Sequence, residues 1–264
     1  MIALPHGRMP QLGLGTWQMR GTECENAVIQ ALQMGYRHID TAELYRNESD
    51  IGNALQQSGL KRKDLFITSK VMPQNADYVG TLKACQDSLD RLQTHYLDLY
   101  LLHWPGRIPL PETFRAFRQL VDDGKIRDVG ISNFNENQVL NALDVAKNVS
   151  IAVAVNQVEF HPYLYQKELL KTCNQRGIHV TAYSPVARGV LLDDAVLKKV
   201  AQKHGKTVAQ TSLRWLLQLG VSVIPKASQE NHLRENLGAL EFTLDGDDMD
   251  AIESIRTRRR LVPI

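Results

Sequence analysis

The order of patterns along this chain predicts an α/β fold closed as a (β/α)8 TIM barrel, and three observations carry that expectation. Short apolar runs alternate with helix-period segments from one end to the other, the order that parallel strands with crossover helices produce. The 264 residues suit one barrel domain over 1–264, with no linker or low-complexity run to divide them. Three successive runs end on a residue able to do chemistry: Asp40 after Arg37-His38-Ile39, Lys70 after Leu65 to Ser69, and His103 after Leu97 to Leu102. Polar groups at the C-terminal ends of successive strands are how such barrels build active sites.

Residues 2–9, around His6-Gly7, read as a β-hairpin placed to plug the barrel floor. Barrel strands are expected over 11–15, 37–40, 65–70, 96–102, 126–132, 153–159, 179–183 and 221–224, and eight is the count that closes. Thr22 and Glu25 have capping-box spacing ahead of the stripe Cys24, Ala27, Val28, Ala31 and Leu32, and Gly35 should end that helix. Leu82, Cys85, Leu89 and Leu92 mark a second stripe, residues 111–121 a further helix, and Val139, Ala142, Leu143 and Ala146 another behind Asn135 as its cap. Two helical patterns, 195–204 and 207–219, separate the seventh and eighth strands, so one is additional to the barrel. Residues 229–236 and 247–255 add further helices near the C-terminus.

With 31 basic against 29 acidic side chains, a formal charge of +2 offers no general attraction to nucleic acid or to an anionic membrane. The basic run Arg256-Thr257-Arg258-Arg259-Arg260 reads as a solvated helix C-terminus. Cys24, Cys85 and Cys173 are odd in number and far apart, which predicts buried thiols of a reduced compartment. The first residues lack the pattern of a signal peptide, and the longest apolar run, Ile151 to Val155, is too short to span a bilayer, so a cytoplasmic location is expected. The eight histidines show no paired spacing with cysteine or carboxylate, so no metal is expected, and His161 before Pro162 reads as structural.

Tyr45 follows Asp40 within a short loop, which brings a fourth group to the same rim. A carbonyl that receives a hydride at carbon becomes negative at oxygen, so its site needs an acid and fixed donors. Tyr45 can supply the proton if its pKa is lowered, and a neighbouring Lys70 cation favours phenolate. Asp40 gives the buried lysine a counter-ion, and His103 is a second donor that orients the carbonyl.

The segments Gly13-Leu14-Gly15-Thr16-Trp17, Arg37 to Ala42 with Tyr45, Leu102-His103-Trp104-Pro105, Gly130 to Phe134, Asn156-Gln157 through Tyr163, Tyr183-Ser184-Pro185 and Ile224-Pro225-Lys226 resemble the aldo-keto reductases. The likeness runs from about Gly13 to Asn236 with the motifs in family order. In its short loops and size the chain is similar to bacterial 2,5-diketo-D-gluconate reductases and to methylglyoxal-reducing relatives. The resemblance implies a barrel that reduces aldehydes and ketones with NADPH, NADH being a weaker alternative, and a catalytic tetrad of Asp40, Tyr45, Lys70 and His103. It places Ser132, Asn133 and Gln157 on the nicotinamide carboxamide, Tyr183 against the nicotinamide ring, and Ser184, Pro185, Val186 and Gly189 along the pyrophosphate. Lys226, Ala227, Ser228 and His232 fall where the 2′-phosphate is held, and Glu235 and Asn236 near the adenine. A histidine at 103, where steroid double-bond reductases of the family carry glutamate, implies carbonyl reduction.

Two positions depart from the family pattern. Ala227 stands where a serine is usual and His232 where an arginine is usual, so weaker discrimination against NADH is expected. Gly13-Leu14-Gly15 is no Rossmann fingerprint, because Gln18 occupies the third glycine position. The short stretch after His103 and the short tail predict an open pocket, lined by Trp17, Leu44, Tyr45, His103, Trp104 and Phe134, with broad specificity for small carbonyl compounds. A monomer is expected. The same resemblance also admits a nicotinamide-binding regulatory or sensor protein on this barrel.

Overall fold

The computed structural model describes residues 1–263. Two short antiparallel strands, β1 (Ile2–Ala3) and β2 (Arg8–Met9), form the expected hairpin. Eight parallel strands follow: β3 (Leu14–Gly15), β4 (His38–Asp40), β5 (Phe66–Val71), β6 (Leu97–Leu102), β7 (Ile126–Ser132), β8 (Val153–Glu159), β9 (His179–Tyr183) and β10 (Ser222–Val223). Each pairs with its sequence neighbours. The ring closes between first and last through parallel bridges Leu12↔Val223 and Gly15↔Lys226. The Gly13 N–H donates to Val223 O at 2.9 Å and the Gly15 N–H to Pro225 O at 3.1 Å across that seam.

Both glycines are required by the closeness of their neighbours. A Cβ on Gly15 would stand 2.6 Å from the Ile224 carbonyl oxygen, and one on Gly13 2.6 Å from the His38 ring. The Gly-Leu-Gly segment is therefore a closure device, not a phosphate loop.

Side-chain alternation then sorts each strand into two environments. Phe66, Leu99, Leu101 and Val155 gather with Met9 in a small apolar cluster against which Ile2 and Leu4 of the hairpin pack. The intervening Ile67, Tyr100 and Leu102 belong to the large cluster shared with the helices. Phe66, Thr68 and Lys70 share a face of β5, so the strand carries an apolar side chain at the floor, a hydroxyl in the middle and an ammonium near the top. The middle layer is polar: His38 Nε2 lies 3.1 Å from Thr68 Oγ1.

The crossover helices are α1 (Gly21–Gln33), α2 (Glu48–Gln57), α3 (Tyr78–Arg91), α4 (Leu110–Asp122), α5 (Glu136–Asn148) and α6 (Lys167–Gln175). Between β9 and β10 lie α7 (Ala195–Lys203) and α8 (Val208–Gln218), and α9 (Glu230–Leu237) and α10 (Gly246–Glu253) finish the fold. α9 packs on α1 and α10 on α7, which leaves α7 and α10 as the pair beyond the ring. Asn135 and Gln138 form a reciprocal capping box on α5. Thr22 and Glu25 do not: α1 already begins at Gly21, whose N–H donates to Asp50 Oδ2 of α2 at 2.7 Å. The run Arg256 to Arg260 is not a helix terminus, since α10 ends at Glu253 and these residues are exposed chain beyond it. Among the described residues no helix is long and apolar enough to cross a membrane.

Candidate active site

Asp40 ends β4, Lys70 stands one residue before the end of β5, and His103 follows β6 directly. The three are buried, and Lys70 is fully so. The Lys70 ammonium donates to Asp40 Oδ1 at 2.5 Å and to the Thr41 carbonyl at 2.7 Å. Asp40 Oδ2 accepts from Gln157 Nε2 at 2.6 Å. Tyr45 sits in a 3₁₀ turn, Glu43–Tyr45, that the chain makes directly after β4. Its ring centroid lies 5.0 Å from Lys70 Nζ and 5.6 Å from the His103 ring, which meets it edge-on. The four side chains singled out from the sequence are thus one cluster.

Burial sets the protonation of this cluster. It raises the Tyr45 pKa above the ordinary phenol value, while the Lys70 charge works against it. The net direction is the reverse of the lowering expected from Lys70 alone, and it leaves a protonated phenol at neutral pH. For Lys70 burial favours the neutral amine, but Asp40 and Tyr45 outweigh it, so its pKa is raised and it stays a cation. Burial and the Lys70 charge together push His103 well below the usual imidazole range, so it is neutral. His103 Nδ1 is buried with no partner.

A cavity of about 800 Å³ opens over these groups. Asp40, Tyr45, His103, Trp17, Leu44 and Trp104 line it from one part of the rim, and Ser132, Asn133, Gln157, Tyr183, Ser184, Pro185, Val186 and Lys226 from the other. Ser132 and Gln157 are register partners across β7 and β8, and Ser132 Oγ donates to the Gln157 carbonyl at 2.8 Å. Asn133, with φ of 66°, donates to the His103 carbonyl at 2.9 Å and accepts from the Tyr183 hydroxyl at 2.9 Å. These bonds fix the ends of four strands, β6 to β9, relative to each other. Because Gln157 Nε2 is committed to Asp40, the acceptor Oε1 is the end of that amide left for a ligand.

Phe134 is not part of the wall. It is 2% exposed and packs in the core with its backbone carbonyl held by Asn156 Nδ2 at 3.0 Å, because it stands where β7 turns toward α5. Gly189, Ala227, Ser228, His232, Glu235 and Asn236 lie off the cavity wall as well. Gly189 closes a turn in which Ser184, Ala187, Arg188 and Gly189 all have positive φ. Lys226 and His232 are exposed and Ser228 and Glu235 half-buried, whereas Ala227 is in the core and Asn236 is buried beside the Tyr36 hydroxyl.

The cavity wall also includes residues outside the set expected from the sequence, among them Gly15, Thr16 and Ile224 at the barrel seam. Gln18 has φ of 63°, and the Arg188 guanidinium carbon lies 4.6 Å from the Trp17 ring centroid, both residues lining the cavity. Val262 and Pro263 also line the cavity. The pocket is therefore less open than the short tail suggested.

A parallel barrel with a lysine–carboxylate pair, a phenol and a neutral imidazole at one rim defines an oxidoreductase of the aldo/keto reductase family, to which this chain belongs: the family pattern matches residues 11–257. The chain is 46% identical over 256 residues to the glyoxal reductase of Bacillus subtilis (strain 168), covering 97% of this chain and 92% of that protein. It is 43% identical over 259 residues to an aldo-keto reductase of Mycolicibacterium smegmatis, again covering 97% and 92%. The structure of the aldose reductase from Schistosoma japonicum superimposes with a TM-score of 0.94 at 34% identity, covering 99% of this chain and 93% of that one. The family and these named reductases assign carbonyl reduction with a nicotinamide cofactor, NADH or NADPH, to this fold.

Proposed function

We propose that this protein is a cytoplasmic, monomeric NADPH-dependent reductase of small aldehydes and ketones, with 2-oxoaldehydes first among its substrates and diketo sugar acids next. The observation that carries this reading is the clustering of Asp40, Tyr45, Lys70 and His103, with Lys70 buried behind Asp40 and the other three lining the same cavity as Tyr183. The 2-oxoaldehyde preference draws on the likeness to a protein named glyoxal reductase.

The residues present suit a nicotinamide dinucleotide. Gln157 presents an acceptor, Asn133 and Ser132 stand beside it, and Tyr183 offers an aromatic face in the same cavity. These four would hold the nicotinamide end, and Ser184, Pro185, Val186 and Gly189 the pyrophosphate. Lys226 with Ser228 and His232 would meet the 2′-phosphate, and Glu235 the adenine. Ala227 and Asn236 are buried, so contact through their side chains is withdrawn from the assignment. When bound, the cofactor supplies the hydride that the carbonyl carbon receives.

The chain's own residues do the rest. His103, neutral and with hydrogen-bonding capacity unspent, orients the carbonyl. Tyr45 transfers its proton to the carbonyl oxygen as charge develops there, and the nearby Lys70 ammonium stabilises the phenolate that results. Asp40 holds that ammonium in place, and Gln157 holds Asp40.

Following NADPH absorbance with methylglyoxal, an aromatic aldehyde and a diketo sugar acid tests the assignment. Turnover of at least methylglyoxal is expected; no consumption with any of them overturns it. The missing arginine at 232 predicts that kcat/KM with NADPH exceeds that with NADH by only about tenfold, near the worth of one charge-assisted contact. A higher kcat/KM with NADH would contradict the NADPH assignment.

A further inference from the structure

Glu159 is a fully buried carboxylate at the end of β8 that takes no part in the chemistry above. Its Oε1 accepts from His161 Nε2 at 2.9 Å and from the Leu261 N–H at 2.7 Å, and its Oε2 from the Val262 N–H at 2.9 Å. Two of the three donors are main-chain amides of the tail. A second tie, from the Arg259 N–H to the Tyr163 carbonyl at 2.8 Å, holds the same segment two residues earlier. Leu261 is packed against the core, and the next two residues line the active-site cavity. Glue of this kind is strong for its size: an ionised acceptor roughly doubles the strength of each hydrogen bond, and burial shields it from water.

We propose that Glu159 is a positioning residue that straps residues 259–263 across the barrel mouth, and that the strap sets the affinity for carbonyl substrates larger than the reacting group itself. Glu159 is the register partner of Tyr183, so the strap crosses beside the aromatic wall of the cavity. Glu159 does not itself line the cavity; it acts through Val262 and Pro263, which do. The strap belongs to this chain's sequence through two features only, a buried carboxylate on β8 and free amides at 261 and 262, because main-chain bonds do not read side chains. His161, fully buried beside it, fixes the carboxylate's orientation. The substrate half of this inference rests on the reductase assignment, whereas the strap itself does not.

The test is amide hydrogen exchange at Leu261 and Val262 in the wild type and in Glu159→Gln, joined to steady-state kinetics. Glutamine keeps the shape but turns one acceptor into a donor, which faces an N–H with an N–H. Exchange at the two amides should speed up by about tenfold or more, while KM for an aromatic aldehyde rises about three- to tenfold and kcat stays within about twofold. KM for methylglyoxal should hardly move. A chain ended after Arg260 should show the same KM shift, and adding Glu159→Gln to it should change nothing further, since the two changes remove one interaction. Unchanged exchange at Leu261 and Val262, or a full Glu159→Gln effect on KM persisting in the shortened chain, overturns the proposal. Faster exchange in a protein that turns over no carbonyl would uphold the strap and sink the reductase assignment instead.

Discussion

Asp40 spends its two oxygens on donors of different kinds, the Lys70 ammonium and the Gln157 amide. One carboxylate therefore couples the proton-transfer side of the cavity to the side assigned to the cofactor. Tyr45 is held protonated by burial and His103 neutral by burial and the Lys70 charge, and these two directions make a pH prediction. The reduction rate at saturating substrate should be flat through the imidazole range and fall only above the ordinary phenol pKa, about 10, where Tyr45 begins to lose its proton. A rate profile with an inflection between pH 6 and 7 would contradict a His103 that stays neutral. Asp40, Lys70 and His103 were legible in the sequence because each follows an apolar run where a strand must end, and Tyr45 because it stands in the short loop after Asp40. Phe134 was misplaced for the same reason: it too follows a strand end, but nothing local says that its side chain turns back into the core. The sign of the Tyr45 shift was also hidden, since the sequence shows Lys70 as a neighbour and not the burial that outweighs it.

At the scale of elements, strand order and strand ends were readable, and long-range ties were not. The spans 126–132, 153–159 and 179–183 coincide with β7, β8 and β9, since an apolar run bounded by turn residues is a local signal. The start of α1 was misread because its donor is met by Asp50, 29 residues away, in place of a local Thr22–Glu25 box. The strap escaped notice because Glu159 and Leu261 are 102 residues apart. Arg188 was missed because its approach to Trp17 depends on consecutive left-handed residues, which no periodicity reveals. Gly15 supplies the prediction at this scale. Its Cβ would press on the Ile224 carbonyl at the seam where β3 meets β10, so Gly15→Ala should destabilise the barrel by about 1–3 kcal/mol, the usual cost of overpacking. Urea unfolding measures this; a midpoint equal to wild type would show that the seam yields.

The whole molecule combines an apolar floor sealed by the hairpin, a polar middle layer and a charged, buried top. That layering puts neutral histidines inside, and their titration shapes stability. His38 is lowered to about 4, His179 to about 4, and His103 further in the same sense, in each case by burial first. The unfolded chain takes up protons at these sites below pH 6.5 and the folded chain does not, so stability is complete above pH 6.5 and is lost as pH falls toward 4. For His38 alone the loss is on the order of 3 kcal/mol. Glu43 and Asp128, which burial raises, act in the opposite sense but are fewer. Tm should therefore fall on acidification from pH 6.5, and a flat Tm down to pH 5 would contradict it. The central claim, that this barrel mouth delivers a proton from Tyr45 to a carbonyl oxygen, is tested most directly by NADPH consumption with methylglyoxal in the wild type and in Tyr45→Phe, with NADPH binding measured in both. Wild-type turnover, a loss of about 10²- to 10⁴-fold in kcat on removing the hydroxyl, and unchanged NADPH affinity are the expected result. A Tyr45→Phe enzyme that reduces methylglyoxal as fast as the wild type would contradict it.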